Sequence, residues 1–445
     1  MSAVLHSAAG TTADLAAVPD HRALRFLTAG SVDDGKSTLI GRLLYDSQAI
    51  LADQMDSLEQ RAAGGAVDLS LLTDGLEAER EQGITIDVAF RYFATRKRKF
   101  IIADAPGHEQ YTRNMVTAAA GSDAAVVLVD ITKLDWRSGA VTLLPQTRRH
   151  ALLAHLLRVP SIVFAVNKLD AVDQPQAAFE ATRTALLAFA LEAGITEVAA
   201  TIPVSALRGD NVTLPVGEST AWFDGPCLLQ LLQRLPTTQE RTAGALLQPV
   251  QYVARDEGDE CKGAGHRPRV FWGRIAHGSV QVGDAVQVFP SGELAVVAEV
   301  RRAGSTVATS QAGESAGIVL DRQLDISRGD WIASPGSLQP TQRFTATLAW
   351  LDTEPATVGR RYWVRHGNRW VQARIAAIEH KLDIHNLAPI DAHELAVNEI
   401  GQVVIELQQA LSVEPYLSNR VGGALIVVDP ASNRTSGALL VKAAA

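Results

Sequence analysis

The sequence has few cysteines, and this scarcity excludes two kinds of structural support. Cys227 and Cys261 are the only two among 445 residues, and they stand apart, with no CxxC spacing and no pair of histidines nearby. A disulfide framework and a structural zinc site are therefore not predicted. Unpaired thiols are compatible with a reducing cytoplasm, which is where we expect the protein to reside.

The sequence also lacks a long apolar run and an excess of basic residues. No uncharged apolar stretch reaches the roughly 18 residues that a spanning helix needs, so no membrane segment is predicted. Acidic residues outnumber basic ones by 49 to 41, for a formal net charge of −8, and the densest basic run is Arg96–Lys99. Nucleic acid is therefore not a favoured partner, although a local basic patch stays an open alternative.

A chain of this length is too long for one core, and its character changes along the sequence. Residues 1–20 are rich in alanine, serine and threonine and lack the features of a signal peptide, so we interpret them as a flexible tail. Strand-like and helix-like segments alternate over 21–240, whereas short strand-like runs with frequent turns dominate afterwards. We expect an α/β domain at 21–240 and two β-barrel domains at 241–340 and 341–445.

Five short apolar segments of the first domain each end in a polar turn. They are LRFLTAG, FIIADAPG, AAVVLVD, SIVFAVNKLD and IPVSAL. Helical patterns lie between them, and the first is expected to run from Ser37 to Met55. The alternation predicts a doubly wound, mostly parallel sheet, in which ligands bind at the carboxyl ends of the strands.

The stretch GSVDDGKST has the frame of a phosphate-binding loop between a predicted strand and a predicted helix. Its glycines let successive backbone N–H groups point at phosphate oxygens. Lys36 can reach the β- and γ-phosphates, and the Ser37 hydroxyl can bind Mg²⁺. Taken alone, the motif could also be a chance glycine-rich turn. The predicted nucleotide-binding residues are Gly30, Ser31, Val32, Asp33, Asp34, Gly35, Lys36, Ser37 and Thr38.

Two carboxylates in this loop raise a question, because their charge would oppose that of the phosphates. We expect the side chains of Asp33 and Asp34 to point outward while the backbone N–H groups face the ligand.

Three further motifs indicate that the triphosphate is GTP. In DAPGH, Asp104 can hold a Mg²⁺-bound water and the Gly107 N–H can contact the γ-phosphate. In NKLD, the Asp170 carboxylate can accept from N1–H and N2–H₂ of guanine, a donor pair that adenine lacks. The SAL turn can offer a backbone N–H to guanine O6. The predicted contacts are Asp104, Ala105, Pro106, Gly107, His108, Asn167, Lys168, Asp170, Ser205, Ala206 and Leu207.

The segment GITID contains Thr85, our candidate for a second hydroxyl on Mg²⁺ that binds only while a γ-phosphate is present. The alternative is that GITID simply begins a strand, where threonine is common. The predicted metal ligands are Ser37, Thr85 and, through water, Asp104.

Taken together, these motifs resemble those of the translation-factor GTPases, the relatives of elongation factor Tu. GRIAHGSVQVGD resembles the second-domain barrel of that group, and LAVNEIGQVVIELQQALSVEPY resembles its third domain. The resemblance implies an α/β P-loop GTPase domain followed by two β-barrels, with Lys36, Thr85 and His108 as catalytic residues. His108 would orient the attacking water, although a mere hydrogen bond to the loop is the alternative.

Within that group, GSVDDGKSTLIGRLLYD, DGLEAEREQGITIDVAFRYF and QTRRH resemble the large subunit of bacterial heterodimeric sulfate adenylyltransferases. Translation factors usually carry histidine where this chain has Asp34. The resemblance implies GTP and Mg²⁺ as cofactors and a small catalytic subunit as partner, in a heterodimer or a higher assembly. GTP hydrolysis would drive synthesis of adenosine 5′-phosphosulfate and pyrophosphate from ATP and sulfate on that subunit.

Two other functions stay open. A translation-type GTPase that delivers charged tRNA is disfavoured by the acidic balance and by Asp34, and a GTP-regulated binding module is disfavoured by His108. No second phosphate loop follows the third domain, so we expect no adenylylsulfate kinase activity. The segment Asp130–His150 is longer than is usual in the family, which either alters partner contact or is a tolerated insertion; we favour the insertion.

Overall fold

The computed structural model describes residues 22–50, 69, 88–105, 112–139, 141–215, 217–237, 243–255, 268–383 and 388–444. The tail at 1–20 and four predicted site residues lie outside the described residues: Thr85, Pro106, Gly107 and His108. The chain divides into two compact units, one ending at Thr238 and the other beginning at Gln239. The limits of the three predicted domains stay predictions.

The first unit is built on a six-stranded sheet with the order β2-β3-β1-β4-β5-β6. Its strands are β1 (Leu24–Ala29), β2 (Ala89–Ala94), β3 (Lys99–Asp104), β4 (Ala124–Asp130), β5 (Ser161–Asn167) and β6 (Val198–Pro203). Only the edge strand β2 runs antiparallel to its neighbour. The predicted doubly wound, mostly parallel sheet is therefore confirmed.

The described helices of this unit are α1 (Lys36–Asp46), α2 (Thr112–Ala120), α3 (Pro145–Leu156), α4 (Pro175–Glu192) and α5 (Leu228–Arg234). Prolines open α3 and α4, where a missing N–H leaves no hydrogen bond unmade. The prediction for α1 was too long. The helix ends at Asp46 because the chain turns there, with φ of +54° at Gln48 and its N–H bonded to the Tyr45 carbonyl.

Burial of this sheet explains why one of its edges carries the polar residues. Strands β4 and β5 are buried at every position, a pattern typical of parallel strands covered on both faces. Polar side chains can then reach a ligand only at the strand ends, and β1, β3, β4, β5 and β6 all end at the same edge. The core beneath includes Phe26, Leu39, Ile40, Leu43, Val126, Leu128, Val163, Leu228 and Leu232.

The second unit begins with an antiparallel β region. Its strands are β7 (Leu247–Pro249), β8 (Tyr252–Arg255), β9 (Arg269–Arg274), β10 (Ser279–Gln281), β11 (Ala285–Phe289), β12 (Leu294–Arg302), β13 (Ser305–Val307), β14 (Thr309–Gln311), β15 (Ser315–Leu320) and β16 (Trp331–Ala333). Strands β10 and β14 pair with each other, and the other eight form one sheet. Its core includes Val250, Phe271, Ile275, Val286, Val288, Val300, Ile318 and Ile332.

The same unit continues into a closed barrel. Its strands are β17 (Pro340–Trp350), β18 (Ala356–Thr357), β19 (Arg361–His366), β20 (Arg369–Leu382), β21 (Pro389–Ile390), β22 (Glu394–Leu395), β23 (Ile400–Ser412), β24 (Ala424–Val428) and β25 (Thr435–Ala444), with a short helix α6 (Arg420–Gly423). The order β19-β24-β25-β17-β23-β20 closes because β19 also pairs with β20. None of the described helices is long and apolar enough to cross a membrane. The predicted fold class, a GTPase-type α/β domain followed by β-barrel structure, is confirmed.

Candidate nucleotide-binding site

The loop between β1 and α1 wraps around one lysine. Lys36 Nζ donates to the carbonyl oxygens of Gly30 and Ser31, both at 2.8 Å, and the side chain is almost fully buried. Burial lowers the pKa of Lys36, while the carboxylates of Asp104 and Asp34 act in the opposite direction. The ammonium is thus held at the centre of the loop, where the phosphate-loop pattern requires it.

Gly35 is required by both its backbone and its surroundings. Its φ is +92°, in the left-handed region that glycine adopts without strain. A Cβ at this position would lie 2.5 Å from Nδ2 of Asn167, closer than such atoms can approach. The second glycine of the motif is therefore required by the close approach of Asn167 as well as by its own positive φ.

The two adjacent carboxylates behave differently from each other. Asp33 is exposed, as expected, whereas Asp34 is fully buried. Oδ2 of Asp34 accepts from the Ser31 N–H at 2.6 Å, and Oδ1 lies 2.9 Å from Nζ of Lys133. The expectation that Asp34 points outward was wrong, because an internal donor and a cation compensate the burial of its charge.

Asp104 and Ser37 supply oxygens that fit Mg²⁺. Asp104 ends β3, is nearly fully buried, and its Oδ1 accepts from Oγ1 of Thr28 at 3.2 Å. Ser37 lies in the first turn of α1, and Ala105 is buried directly after Asp104. Mg²⁺ is usually bound through one or two protein oxygens together with phosphates and water. Within the described ranges there is no cluster of three or more metal-binding side chains that could hold a metal without a ligand's help.

Asn167 joins two of the predicted motifs. It ends β5 and is nearly fully buried. Its Nδ2 donates to the Asp34 carbonyl oxygen at 2.8 Å, and its Oδ1 accepts from the Ala206 N–H at 2.9 Å. One amide side chain therefore fixes the distance between the phosphate loop and the SAL turn.

Asp170 has an acceptor that the protein leaves unused. It lies in a 3-10 turn at Leu169–Ala171, and its side chain is 11% exposed. Oδ2 lies 3.9 Å from Nε of Arg208, whereas the buried Oδ1 accepts no hydrogen bond from any described residue. A buried carboxylate oxygen without a donor is costly, so this position suits a ligand that supplies one.

Lys168 and Asp130 form a pair that sequence reasoning missed. Lys168 Nζ lies 2.7 Å from Oδ2 of Asp130, whose Oδ1 accepts from the backbone N–H and the hydroxyl of Thr132. Asp130 ends the buried strand β4, and this position at a strand end could have identified it as a candidate site residue. Lys133, three residues further, carried no signal of its own in the sequence.

The SAL turn is held by its neighbours. The Ser205 N–H donates to the Asp210 carbonyl oxygen at 3.0 Å, and the Ala206 N–H is bonded to Asn167 as described. Ser205 and Ala206 are buried, whereas Leu207 is largely exposed. The predicted contact between this turn and guanine O6 stays a prediction.

Two family models and many curated proteins match this chain. The model of the elongation factor Tu GTP binding domain matches residues 21–249, and that of the GTP-eEF1A C-terminal domain-like family matches residues 343–442. Sulfate adenylyltransferase subunit 1 of Laribacter hongkongensis (strain HLHK9) is 44% identical over 428 residues, covering 95% of this chain and 85% of that protein. The protein of the same name from Vibrio parahaemolyticus is 44% identical over 425 residues, covering 94% of this chain and 86% of that protein.

A longer relative carries a different name. The bifunctional enzyme CysN/CysC of Xylella fastidiosa (strain Temecula1) is 44% identical over 421 residues, covering 93% of this chain and 65% of that protein. Among solved structures, sup35 complexed with GDP aligns over 96% of this chain and 95% of that one, at a TM-score of 0.43 and 22% identity. The family resemblance predicted from the motifs is confirmed by the curated relatives: this chain belongs to the sulfate adenylyltransferase subunit 1 family and carries the GTP-binding domain of elongation factor Tu.

Proposed function

We propose that this chain binds GTP together with Mg²⁺, hydrolyses it, and couples the hydrolysis to synthesis of adenosine 5′-phosphosulfate from ATP and sulfate on a small catalytic partner subunit. The observation that carries the proposal is the unused Oδ1 of Asp170, located at the same sheet edge as Lys36. The names of the relatives supply the reaction, and their designation as subunit 1 supports a partner.

Recognition of guanine would depend on Asp170. Its two oxygens can accept from N1–H and N2–H₂ of guanine, whereas adenine offers an unprotonated N1 and no N2 amine. Asn167 supports this role, because it connects the base-binding side of the site to the phosphate loop. The SAL turn completes the proposed base pocket.

Phosphate binding would depend on Lys36, Ser37 and Asp104. The Lys36 ammonium now donates to two loop carbonyls and would add phosphate oxygens to them. Ser37 and, through water, Asp104 would hold Mg²⁺, with Thr85 as the further hydroxyl. When bound, Mg²⁺ neutralises charge that develops on the transferred phosphoryl group. We assign orientation of the attacking water to His108.

The coupling has a thermodynamic reason. A sulfate–phosphate mixed anhydride lies uphill from ATP and sulfate, and binding energy cannot shift an overall equilibrium. A second hydrolysis linked to the same cycle can do so. Loss of the γ-phosphate contacts proposed at Thr85 and Gly107 would supply the conformational change that links the two reactions.

Delivery of charged tRNA is the less favoured alternative. The curated relatives named above are sulfate adenylyltransferase subunits, and the net charge of −8 disfavours nucleic acid. The proposed setting is the cytoplasm, where ATP and GTP are both present.

The experiment measures GTP hydrolysis by the purified chain mixed with its small catalytic subunit. We expect the rate to rise when ATP and sulfate are both present, and to rise little with either alone. A Lys36→Ala chain in the same mixture controls for contaminating GTPases. A GTP hydrolysis rate that does not change when ATP and sulfate are added would refute the coupling. Hydrolysis of GTP by the chain alone would still support the GTP site.

A further inference from the structure

An ion pair between a buried carboxylate and a partly exposed lysine lies beside the phosphate loop. Asp34 has 0% exposure, and Nζ of Lys133, in the 3-10 turn after β4, lies 2.9 Å from its carboxylate. The same ammonium donates to the Val32 carbonyl oxygen at 2.8 Å. One cation therefore holds the side chain of one loop residue and the backbone of another.

Two lysines divide the carbonyl oxygens of the loop between them. Lys36 donates hydrogen bonds to the carbonyl oxygens of Gly30 and Ser31, and Lys133 donates to the carbonyl oxygen of Val32. Three consecutive peptide groups are thus oriented by ammonium groups. The directions of the loop N–H groups, on which phosphate binding depends, follow from these orientations.

Without Lys133, the Asp34 carboxylate would keep only the Ser31 N–H as its partner in the contacts described above. A fully buried carboxylate that loses its cation is strongly destabilised. Asp34 also acts on Lys36, because its carboxylate raises the pKa of Lys36 while the Lys133 cation lowers it. Loss of Lys133 would therefore leave a negative charge that attracts Lys36 and repels phosphate.

The cation also reaches toward the base-binding motif. Nζ of Lys133 lies 3.8 Å from Oδ2 of Asp130, and that oxygen lies 2.7 Å from Nζ of Lys168. Charges of alternating sign thus run from Asp34 through Lys133 and Asp130 to Lys168. Lys133 occupies the second place in this series, at the phosphate-loop end.

We propose that Lys133 is a positioning residue of the nucleotide site, which acts through Asp34 and Val32 to hold the phosphate loop in its binding shape. The proposal rests on the GTP site proposed above and gives a role to the segment after β4. Asp34 then has a role too: it anchors the loop to Lys133.

The test is equilibrium titration of the full chain with the fluorescent nucleotide mant-GDP. Lys133→Met should weaken binding about ten-fold, or about 1.4 kcal/mol. Lys133→Arg should restore most of the affinity, because a guanidinium can also pair with the carboxylate and donate to the carbonyl. Arg137→Met is the matched control, since Arg137 lies four residues further along the same segment and pairs with the exposed Asp173; its affinity should stay within about two-fold of the unmutated chain.

A double-mutant cycle separates a pair from two independent contacts. Asp34→Asn should weaken mant-GDP binding, and adding Lys133→Met should cost little more, because the ion pair is already broken. Full additivity of the two losses would refute the pairing. If Asp34→Asn does not fold, the two Lys133 variants still decide, because Lys133→Arg keeps a cation beside the Asp34 carboxylate and Lys133→Met removes it.

The remaining outcomes are equally decisive. Unchanged affinity in Lys133→Met would overturn the positioning role while leaving the GTP site intact. Failure of Lys133→Arg to recover affinity would show that a positive charge at this position does not hold the loop, and would refute the role. If the unmutated chain does not bind mant-GDP, the GTP site itself is wrong, and the role of Lys133 is refuted with it.

Discussion

Replacement of Asp170 by asparagine should change which purine the protein prefers. The substitution keeps the shape of the side chain and turns one carboxylate oxygen into an NH₂ group. That group would face a guanine N–H with a second donor, which cannot form a hydrogen bond. Xanthine has a carbonyl oxygen at position 2, so the same NH₂ group could donate to it.

The size of the change follows from the burial of this side chain. Asp170 is 11% exposed and its Oδ1 has no hydrogen-bond partner among the described residues, so water screens the contact little. Losing a hydrogen bond to a charged group costs about 1.5–3 kcal/mol, and an unpaired buried donor adds about 1–3 kcal/mol. Together the loss is about 2.5–6 kcal/mol, which is roughly 10²- to 10⁴-fold in GTP affinity.

The assay is displacement of mant-GDP by unlabelled GTP, XTP and ATP from the unmutated and Asp170→Asn chains. In the Asp170→Asn chain, the affinity for GTP should fall and the affinity for XTP should rise. The affinity for ATP should stay low in both chains. Asp173→Asn is the matched control, because Asp173 is close in sequence but 65% exposed, and its preference should not change. GTP affinity that survives in Asp170→Asn would show that the base lies elsewhere, whatever the phosphates contact.

Two further perturbations test other parts of the molecule. Lys36→Ala should abolish mant-GDP binding. The variant should still fold, as followed by thermal denaturation, because the hydrogen bonds described for the ammonium join it only to two loop carbonyls. GTP turnover in this variant would contradict the phosphate-loop assignment. His366 stacks on Trp331 and is fully buried, which lowers its pKa to about 4, so the unfolded chain takes up this proton first as the pH falls. Neutral His366 makes its full contribution to the free energy of unfolding above about pH 6.5, and this contribution should fall by about 3 kcal/mol between there and pH 4. In urea titrations, the free energy of unfolding of His366→Gln should therefore decline less over this pH range. An identical pH dependence in the variant would refute the assignment.

The predictable part of the site was its placement on the sheet. Buried parallel strands appear in the sequence as short apolar runs, and the polar residue that follows each run must lie at the same edge. Asp104 and Asn167 were found in this way, and both end strands in the structure. This reasoning needs only local patterns, and it succeeds because the sheet is parallel.

The contacts between the strand ends could not be predicted. Asp34 and Lys133 are separated by 99 residues, and Asn167 reaches the Asp34 carbonyl across 133. No local sequence pattern indicates such a pairing, and one sequence alone cannot show which distant residues are in contact. The predicted orientation of Asp34 was therefore wrong. A carboxylate next to a predicted phosphate site is expected to be exposed unless a distant lysine is known to neutralise it.

The closed barrel also bears on how the chain is made. Its first strand, β17, pairs with β23 and β25, so that Phe344 lies opposite both Ile405 and Ala444. During translation β17 leaves the ribosome well before either neighbour, and the backbone N–H and C=O groups on one of its edges stay unpaired until β25 arrives. Contacts of such long range fold slowly, and open strand edges invite pairing with other chains. Newly made copies are therefore most vulnerable to aggregation while this barrel is open, and chaperones that shield strand edges should raise the yield of folded protein.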